Sequence, residues 1–261
     1  MGGDTYREMF SLQDRTVMVA GGAGAIGSAM ARAAAAFGAR VVIADFAEEP
    51  RERVAEDLRA EGASAMGVYA NVLEPDSVRA AIAEAEGAFG PVAALINAVG
   101  THIEQPAEGV TLEAWDKVMG INLRGAFVLS QAAACSMIAN QVRGSIIHVT
   151  SVRSGLGIRR GYAAYVASKG GLGVLIKQLA TEWATYGIRV NGIAPTFTRT
   201  ALVADYLTDP SFYEPLVARI PLGRIAECDD LVGLAVFLAS NASAMITGQN
   251  IFVDGGVTAS Q

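Results

Sequence analysis

Residues 16–27 read Thr-Val-Met-Val-Ala-Gly-Gly-Ala-Gly-Ala-Ile-Gly, and this stretch decides the fold. Five mostly apolar residues make a buried strand, and the glycines then lead straight into the Ala-rich helical pattern 26–37. Glycine permits a tight turn and close backbone approach, and a helix start offers free N–H groups to a phosphate. Gly21, Gly24, Ile26 and Gly27 are therefore candidate pyrophosphate-binding positions. Gly21/Ala25/Gly27 and Gly22/Gly24/Gly27 are both possible registers of that cradle. Asp45 ends the next strand-like run, where a carboxylate can accept hydrogen bonds from ribose hydroxyls and would repel a 2′-phosphate. Phe46 follows instead of a basic residue, and Arg40 and Arg51 fall at the far end of that strand and in the next helix. NAD is thus expected rather than NADP.

Outward from this unit, strand-like runs at 16–20, 40–45, 65–68, 92–97, 145–151, 189–193 and 250–253 alternate with helical patterns. The helical patterns fall near 26–37, 47–61, 75–88, 111–140, 161–186 and 228–239. Such alternation predicts an α/β fold, a doubly wound parallel seven-stranded sheet of the Rossmann type. No linker or repeat divides the 261 residues, so a single domain is expected. Residues 196–222, with three prolines and the aromatics Phe197, Tyr206, Phe212 and Tyr213, fit no strand-and-crossover unit and are expected to form a substrate lid. A net charge of −6 argues against nucleic acid or an anionic membrane as partner. Charges among the first sixteen residues exclude a secretory signal there, and apolar runs such as 231–239 are short for a membrane span, so a cytoplasmic protein is expected. Cys135 and Cys228 have no metal-ligand spacing and read as small buried hydrophobes; no metal site is expected.

Tyr165 and Lys169 lie four apart in a helical stretch, hence on one face. An adjacent ammonium should lower the phenol pKa and make Tyr165 a usable acid or base. With the glycine turn, this pair joins further ordered motifs: Asn97-Ala98-Val99-Gly100, Ile121-Asn122-Leu123, Thr150-Ser151, residues 189–195 (RVNGIAP) and 246–256 (ITGQNIFVDGG). From about Leu12 to Gly256 the chain resembles the short-chain dehydrogenase/reductase family.

That resemblance implies an oxidoreductase that moves a hydride between a nicotinamide and an alcohol or ketone carbon. Ser151 would bond the substrate oxygen, Tyr165 would transfer its proton, Lys169 would hold the nicotinamide ribose, and Asn122 would support a water relay to Lys169. Asn71 and Val72 would approach the adenine, Asn97, Ala98, Val99 and Gly100 would border the adenosine ribose, and Pro195, Thr198 and Thr200 would lie beside the nicotinamide and pyrophosphate. The chain departs from the family pattern at Ala25, at Asn71 in place of Asp, and at Thr196 in place of Pro-Gly. The Ser151–Tyr165 interval is one residue longer than usual, leaving Ser154 as a second candidate hydroxyl. His102, Arg153, Arg160 and Arg199 fall in loops expected near the carboxyl edge of the sheet, and with Ser151 and Tyr165 they suggest an anionic sugar acid or polyol as substrate. The local wording also resembles the gluconate and deoxygluconate dehydrogenase branch. A ketoacyl or other hydrophobic ketone reductase is the alternative within the family, and a non-catalytic dinucleotide sensor is the alternative outside it. No Cys/His cluster supports a zinc-dependent alcohol dehydrogenase, and no G-x-S-x-G elbow supports a hydrolase. The family likeness further implies a homotetramer or dimer.

Overall fold

The computed structural model describes residues 3–200 and 208–260. Its strands are β1 (Thr16–Ala20), β2 (Arg40–Asp45), β3 (Ala65–Tyr69), β4 (Val92–Asn97), β5 (Ser145–Val149), β6 (Arg189–Pro195) and β7 (Asn250–Val253). They form one parallel sheet in the order β3-β2-β1-β4-β5-β6-β7, so the winding reverses between β1 and β4. The helices are α1 (Gly3–Glu8), α2 (Ala25–Ala36), α3 (Glu48–Ala60), α4 (Pro75–Phe89), α5 (Leu112–Met119), α6 (Gly125–Ala139), α7 (Ala163–Trp183), α8 (Pro210–Val217) and α9 (Asp229–Ala239).

Strand periodicity sends alternate side chains into two cores. Met18, Val42, Leu95 and Ile146 pack with Leu129, Met137, Leu172 and Ile176 beneath α4, α6 and α7. Val17, Ile43, Ile96 and Ile147 pack with Met30, Leu58, Leu231 and Leu238 beneath α2, α3 and α9. Each fully buried side chain of this size stabilises the fold by roughly 1.5–3 kcal/mol.

Three local readings are corrected. The helical run expected at 111–140 is interrupted by a π-helical turn at Gly120–Arg124. Strand β5 stops at Val149 because Ser151 enters a 3-10 turn over Val152–Ser154. Cys135 is exposed and Cys228 half-buried rather than buried, since the inner stripe of α6 is Ala126, Leu129, Ala133 and Met137. The run Leu112–Ala139 is long and apolar enough to cross a membrane by length and composition, yet here that same stripe packs on the sheet.

Candidate active site

The carboxyl ends of β1, β4, β5 and β6 open onto a cleft of about 400 Å³ at the reversal of strand order, where open α/β sheets bind ligands. Gly21 turns the chain with φ +73°, and a Cβ there would lie 2.9 Å from Ala98 C and Val99 N. A Cβ on Gly27 would lie 2.2 Å from the Gly21 carbonyl oxygen. Gly24, Ala25, Ile26 and both of these glycines line the cleft, whereas Gly22 faces Val19 and Ile43. Of the two registers the sequence leaves open, Gly21, Ala25 and Gly27 all line the cleft, whereas Gly22 of the other does not. Gly24 caps α2 without any side-chain bond, leaving the first N–H groups of the helix for an anion.

Asp45 accepts N–H bonds from Ala23 (3.3 Å) and Ala47 (3.1 Å), so it braces the glycine turn from the end of β2. Arg51 is closer to this carboxyl edge than its place in α3 suggests: its guanidinium donates to the Asp45 carbonyl at 3.3 Å and to Glu52 at 3.0 Å. Phe46 is exposed. Asn71 accepts from Leu73 N–H and donates to Glu74, while Val72 is buried against Gly125. Asp45, Phe46, Asn71 and Val72 are outside the cleft wall, as is buried Asn97, which instead accepts the Val99 N–H at 3.0 Å. Ala98, Val99, Gly100, Pro195, Thr198 and Thr200 are all in the wall.

Ser151, Tyr165 and Lys169 meet in the same cleft. The Ser151 hydroxyl accepts the Arg153 N–H at 3.1 Å and faces the same cleft as Tyr165. Lys169 is buried, donates to the Val149 carbonyl at 2.9 Å, and has its Nζ 5.8 Å from the Tyr165 ring centre. The expected lowering of the Tyr165 pKa by Lys169 is corrected: burial raises it, against lesser lowering by Ser151 and Arg153. Lys169 is itself pushed down from 10.5 to about 8 by burial. Desolvation disfavours both charged forms, and the nearest polar partner of Nζ is a carbonyl rather than the phenol. The amide of Asn122 is fully engaged: its Oδ1 accepts from Thr101 N–H, and its Nδ2 donates to Thr101 O and Ser168 Oγ. Ser168 in turn donates to the Tyr165 carbonyl, so Asn122 ties the loop after β4 to the start of α7. Ser154 is outside the cleft wall.

On the substrate side, His102 and Arg153 line the cleft, with the His102 ring 5.2 Å from Tyr162 and 6.2 Å from Tyr165. Burial lowers the pKa of both His102 and Arg153. Arg160 and Arg199, expected beside them, are instead paired with Glu104 and Glu227, each at 2.9 Å, and neither is in the wall. Their acidic partners lie 56 and 28 residues away in the chain. Of the segment expected as a lid, Thr196 and Phe197 also line the cleft, Phe212 of α8 packs on Phe197, and residues 201–207 are outside the described residues.

Sequence reasoning missed Thr101, Val152 and Tyr162 in the wall, and it missed His148 beneath it. His148 is fully buried in β5, with Nδ1 3.0 Å from Asn97 Nδ2 and Nε2 2.9 Å from Ser130 Oγ. The Ser130 proton goes to the Ala126 carbonyl, so His148 is neutral with its proton on Nε2, and Asn97 donates to Nδ1. Burial, aided by Lys169, pushes its pKa down to about 3. A histidine inside the apolar run Ile146–Val149 was the available signal.

A family model described as enoyl-(acyl carrier protein) reductase matches residues 21–258. Gluconate 5-dehydrogenase of Gluconobacter oxydans (strain 621H) is 36% identical over 256 residues, covering 98% of this chain and 99% of that protein. The 5-keto-D-gluconate 5-reductase of Escherichia coli K12 is 33% identical over 250 residues, covering 96% and 98%. The crystal structure of a gluconate 5-dehydrogenase from Burkholderia cenocepacia J2315, in complex with NADP and tartrate, superposes with a TM-score of 0.93 at 38% identity, covering 97% of this chain and 99% of that one. With the parallel seven-stranded sheet and a glycine cradle at its reversal point, these matches make the chain an oxidoreductase acting on CH–OH groups, and it belongs to the short-chain dehydrogenase/reductase family.

Proposed function

We propose that this chain is an NAD(H)-dependent dehydrogenase or reductase of a small polyhydroxylated anion, a sugar acid. The observation that carries the reading is one cleft lined at once by the glycine cradle, by Ser151, Tyr165 and Lys169, and by Arg153. The cradle suits a dinucleotide because Gly21 and Gly27, where a Cβ would meet backbone within 3 Å, let the turn close tightly against the start of α2, whose first N–H groups a pyrophosphate can take. A bound nicotinamide dinucleotide supplies the hydride acceptor or donor. Gly21, Gly24, Ile26 and Gly27 would hold its pyrophosphate, Asp45, Phe46, Asn71 and Val72 its adenosine, Asn97 to Gly100 and Lys169 its riboses, and Pro195, Thr198 and Thr200 its nicotinamide end. Tyr165 gives a proton to the ketone oxygen in reduction and takes it back in oxidation, Ser151 donates to the same oxygen, and Lys169 with Asn122 refills the tyrosine from water.

Arg153 supports an anionic substrate, because a guanidinium forks onto a carboxylate. So do the gluconate and ketogluconate named for the relatives and the tartrate in the Burkholderia structure. His102 would add a donor, and residues 196–222 would close over the substrate. Asp45 supports NAD. NADP is the second reading, favoured by Arg51 beside the Asp45 carbonyl and by the NADP of the Burkholderia structure. The apolar wall residues Val152 and Phe197 favour, as the rival substrate, a hydrophobic ketone. A second copy of the chain is the proposed partner. Leu112, Phe127 and Val174 are exposed on α5, α6 and α7, and Phe252 is exposed on the edge strand β7.

Initial rates on a panel of sugar acids, polyols and secondary alcohols, read as NADH or NADPH absorbance, test this. Sugar acids with NAD should rank first, and Arg153→Ala should raise their KM. A panel led by neutral apolar alcohols overturns the substrate reading.

A further inference from the structure

We propose that Asn250, at the start of β7, is a positioning residue that clasps the chain on both sides of Ser151; this rests on the catalytic use of Ser151 proposed above. The Thr150 hydroxyl is 2.6 Å from Asn250 Oδ1, and Asn250 Nδ2 donates to Ser154 Oγ at 2.8 Å. Ser154 Oγ passes its own proton to the Ser151 carbonyl at 2.7 Å, where the Ser154 N–H also binds at 2.9 Å. One amide therefore grips the residue before Ser151 directly and holds its carbonyl through Ser154.

The orientation of the amide follows from the protons. Ser154 has given its hydrogen to Ser151 and can only accept from Asn250, so Nδ2 must face it. The 2.6 Å contact on the other side has the length of an O–H···O bond. A glycine makes room for the group: a Cβ on Gly192 of β6 would lie 2.4 Å from Asn250 Oδ1.

The clasp matters because Ser151 is where the backbone leaves the sheet for the 3-10 turn: the last backbone bond to β6 is that of the Thr150 N–H to the Ile193 carbonyl at 2.8 Å, and Ser151 itself makes none to β4 or β6. Its hydroxyl has one backbone donor, the Arg153 N–H inside that same turn. If the Ser151 carbonyl swings, the turn and the hydroxyl swing with it, and displacements near 1 Å at a reacting group can cost ~100-fold in rate. An apolar side chain at 250 removes both grips. Aspartate keeps the acceptor toward Thr150 but turns the other end into an acceptor, drawing the Ser154 proton away from Ser151.

The test uses the full-length protein and the best panel substrate. Asn250→Ala and Asn250→Asp should lower kcat by roughly tenfold or more while the NADH dissociation constant, read by fluorescence titration, stays within about twofold. Ser154→Ala should reproduce much of the loss, and the Asn250→Ala/Ser154→Ala double variant should be little worse than the poorer single one. In a Ser151→Ala background, Asn250→Ala should lower the residual rate no further, an outcome that general loosening of β7 would not produce. An active wild type whose kcat is unchanged by Asn250→Ala, or by Ser154→Ala should the former not fold, overturns the inference alone. Equal losses from Asn250→Ala with and without Ser151 overturn it too. A wild type inactive on the whole panel overturns the underlying reading and this inference with it.

Discussion

Acidification from about pH 7 to about pH 4.5 should cost the protein roughly 2–3 kcal/mol through His148 alone. His148 is completely buried, accepts from Asn97, donates to Ser130, and has its pKa pushed from 6.5 to about 3 by burial and then by Lys169. A lowered folded-state pKa means the unfolded chain takes the proton first. The contribution is therefore fully present above 6.5 and is lost as pH falls toward 3. Each pH unit inside that window costs about 1.4 kcal/mol, which over the part of it between 6.5 and 4.5 gives the figure above.

Other groups titrate elsewhere or can be subtracted. Asp230, pulled from 3.8 to about 2 first by its bond to Arg224, and Asp254, lowered by its bonds to Thr258 and Gly256, lose their contributions only below 3.8. Lys169, lowered from 10.5 to about 8, adds stability as pH rises through that higher window. His102 is lowered too and shares the acid window, so the comparison must be with His148→Gln rather than with theory. Urea unfolding at both pH values, at fixed protein concentration because association shifts apparent stability, gives the two slopes. His148→Gln should start less stable, since Asn97 and Ser130 lose a fitted partner, but its acid loss should be smaller by roughly 2–3 kcal/mol. Equal acid losses in wild type and variant would refute the neutral, buried histidine and the Asn97 bond that depends on it.

Three further outcomes follow from the cleft. Tyr165→Phe should cut turnover by roughly 10²–10⁴-fold with NADH binding retained; and because burial raises the Tyr165 pKa, alcohol oxidation, which needs the phenolate, should rise with pH from neutrality while ketone reduction does not. Profiles of kcat in both directions check this, and oxidation that falls steadily above pH 7 contradicts it. Asp45→Asn with Phe46→Arg should raise the NADP/NAD ratio of kcat/KM, keeping an acceptor for the glycine turn while removing the charge; a wild type that already prefers NADP sinks the carboxylate argument. Gly27→Ala should weaken NADH binding and destabilise the fold by roughly 1–3 kcal/mol, because the new methyl meets the Gly21 carbonyl at 2.2 Å, and a thermal melt at wild-type temperature would show that the turn can yield.

What was legible in the sequence was whatever a local period decides. The alternation of strand and helix fixes which edge β1, β4, β5 and β6 share, and the four-residue spacing of Tyr165 and Lys169 puts them on one helix face whatever the rest of the chain does. The π turn at Gly120–Arg124 was not legible, because it is stabilised from outside the helix, by Asn122 bonding Thr101 at 21 residues' separation. The loop arginines failed for a related reason: composition put cations near the carboxyl edge, but only the fold brings Glu104 to Arg160 and Glu227 to Arg199, leaving Arg153 in the wall. The sign of the Tyr165 shift failed because spacing registers a neighbouring charge and says nothing of desolvation, and here burial outweighs the lowering by Ser151 and Arg153. Proximity along a helix is thus enough to nominate an acid–base pair, while its resting protonation depends on how much water the folded cleft admits. In this chain burial favours the protonated phenol of Tyr165 beside a buried Lys169, which is the form that the proposed reduction requires.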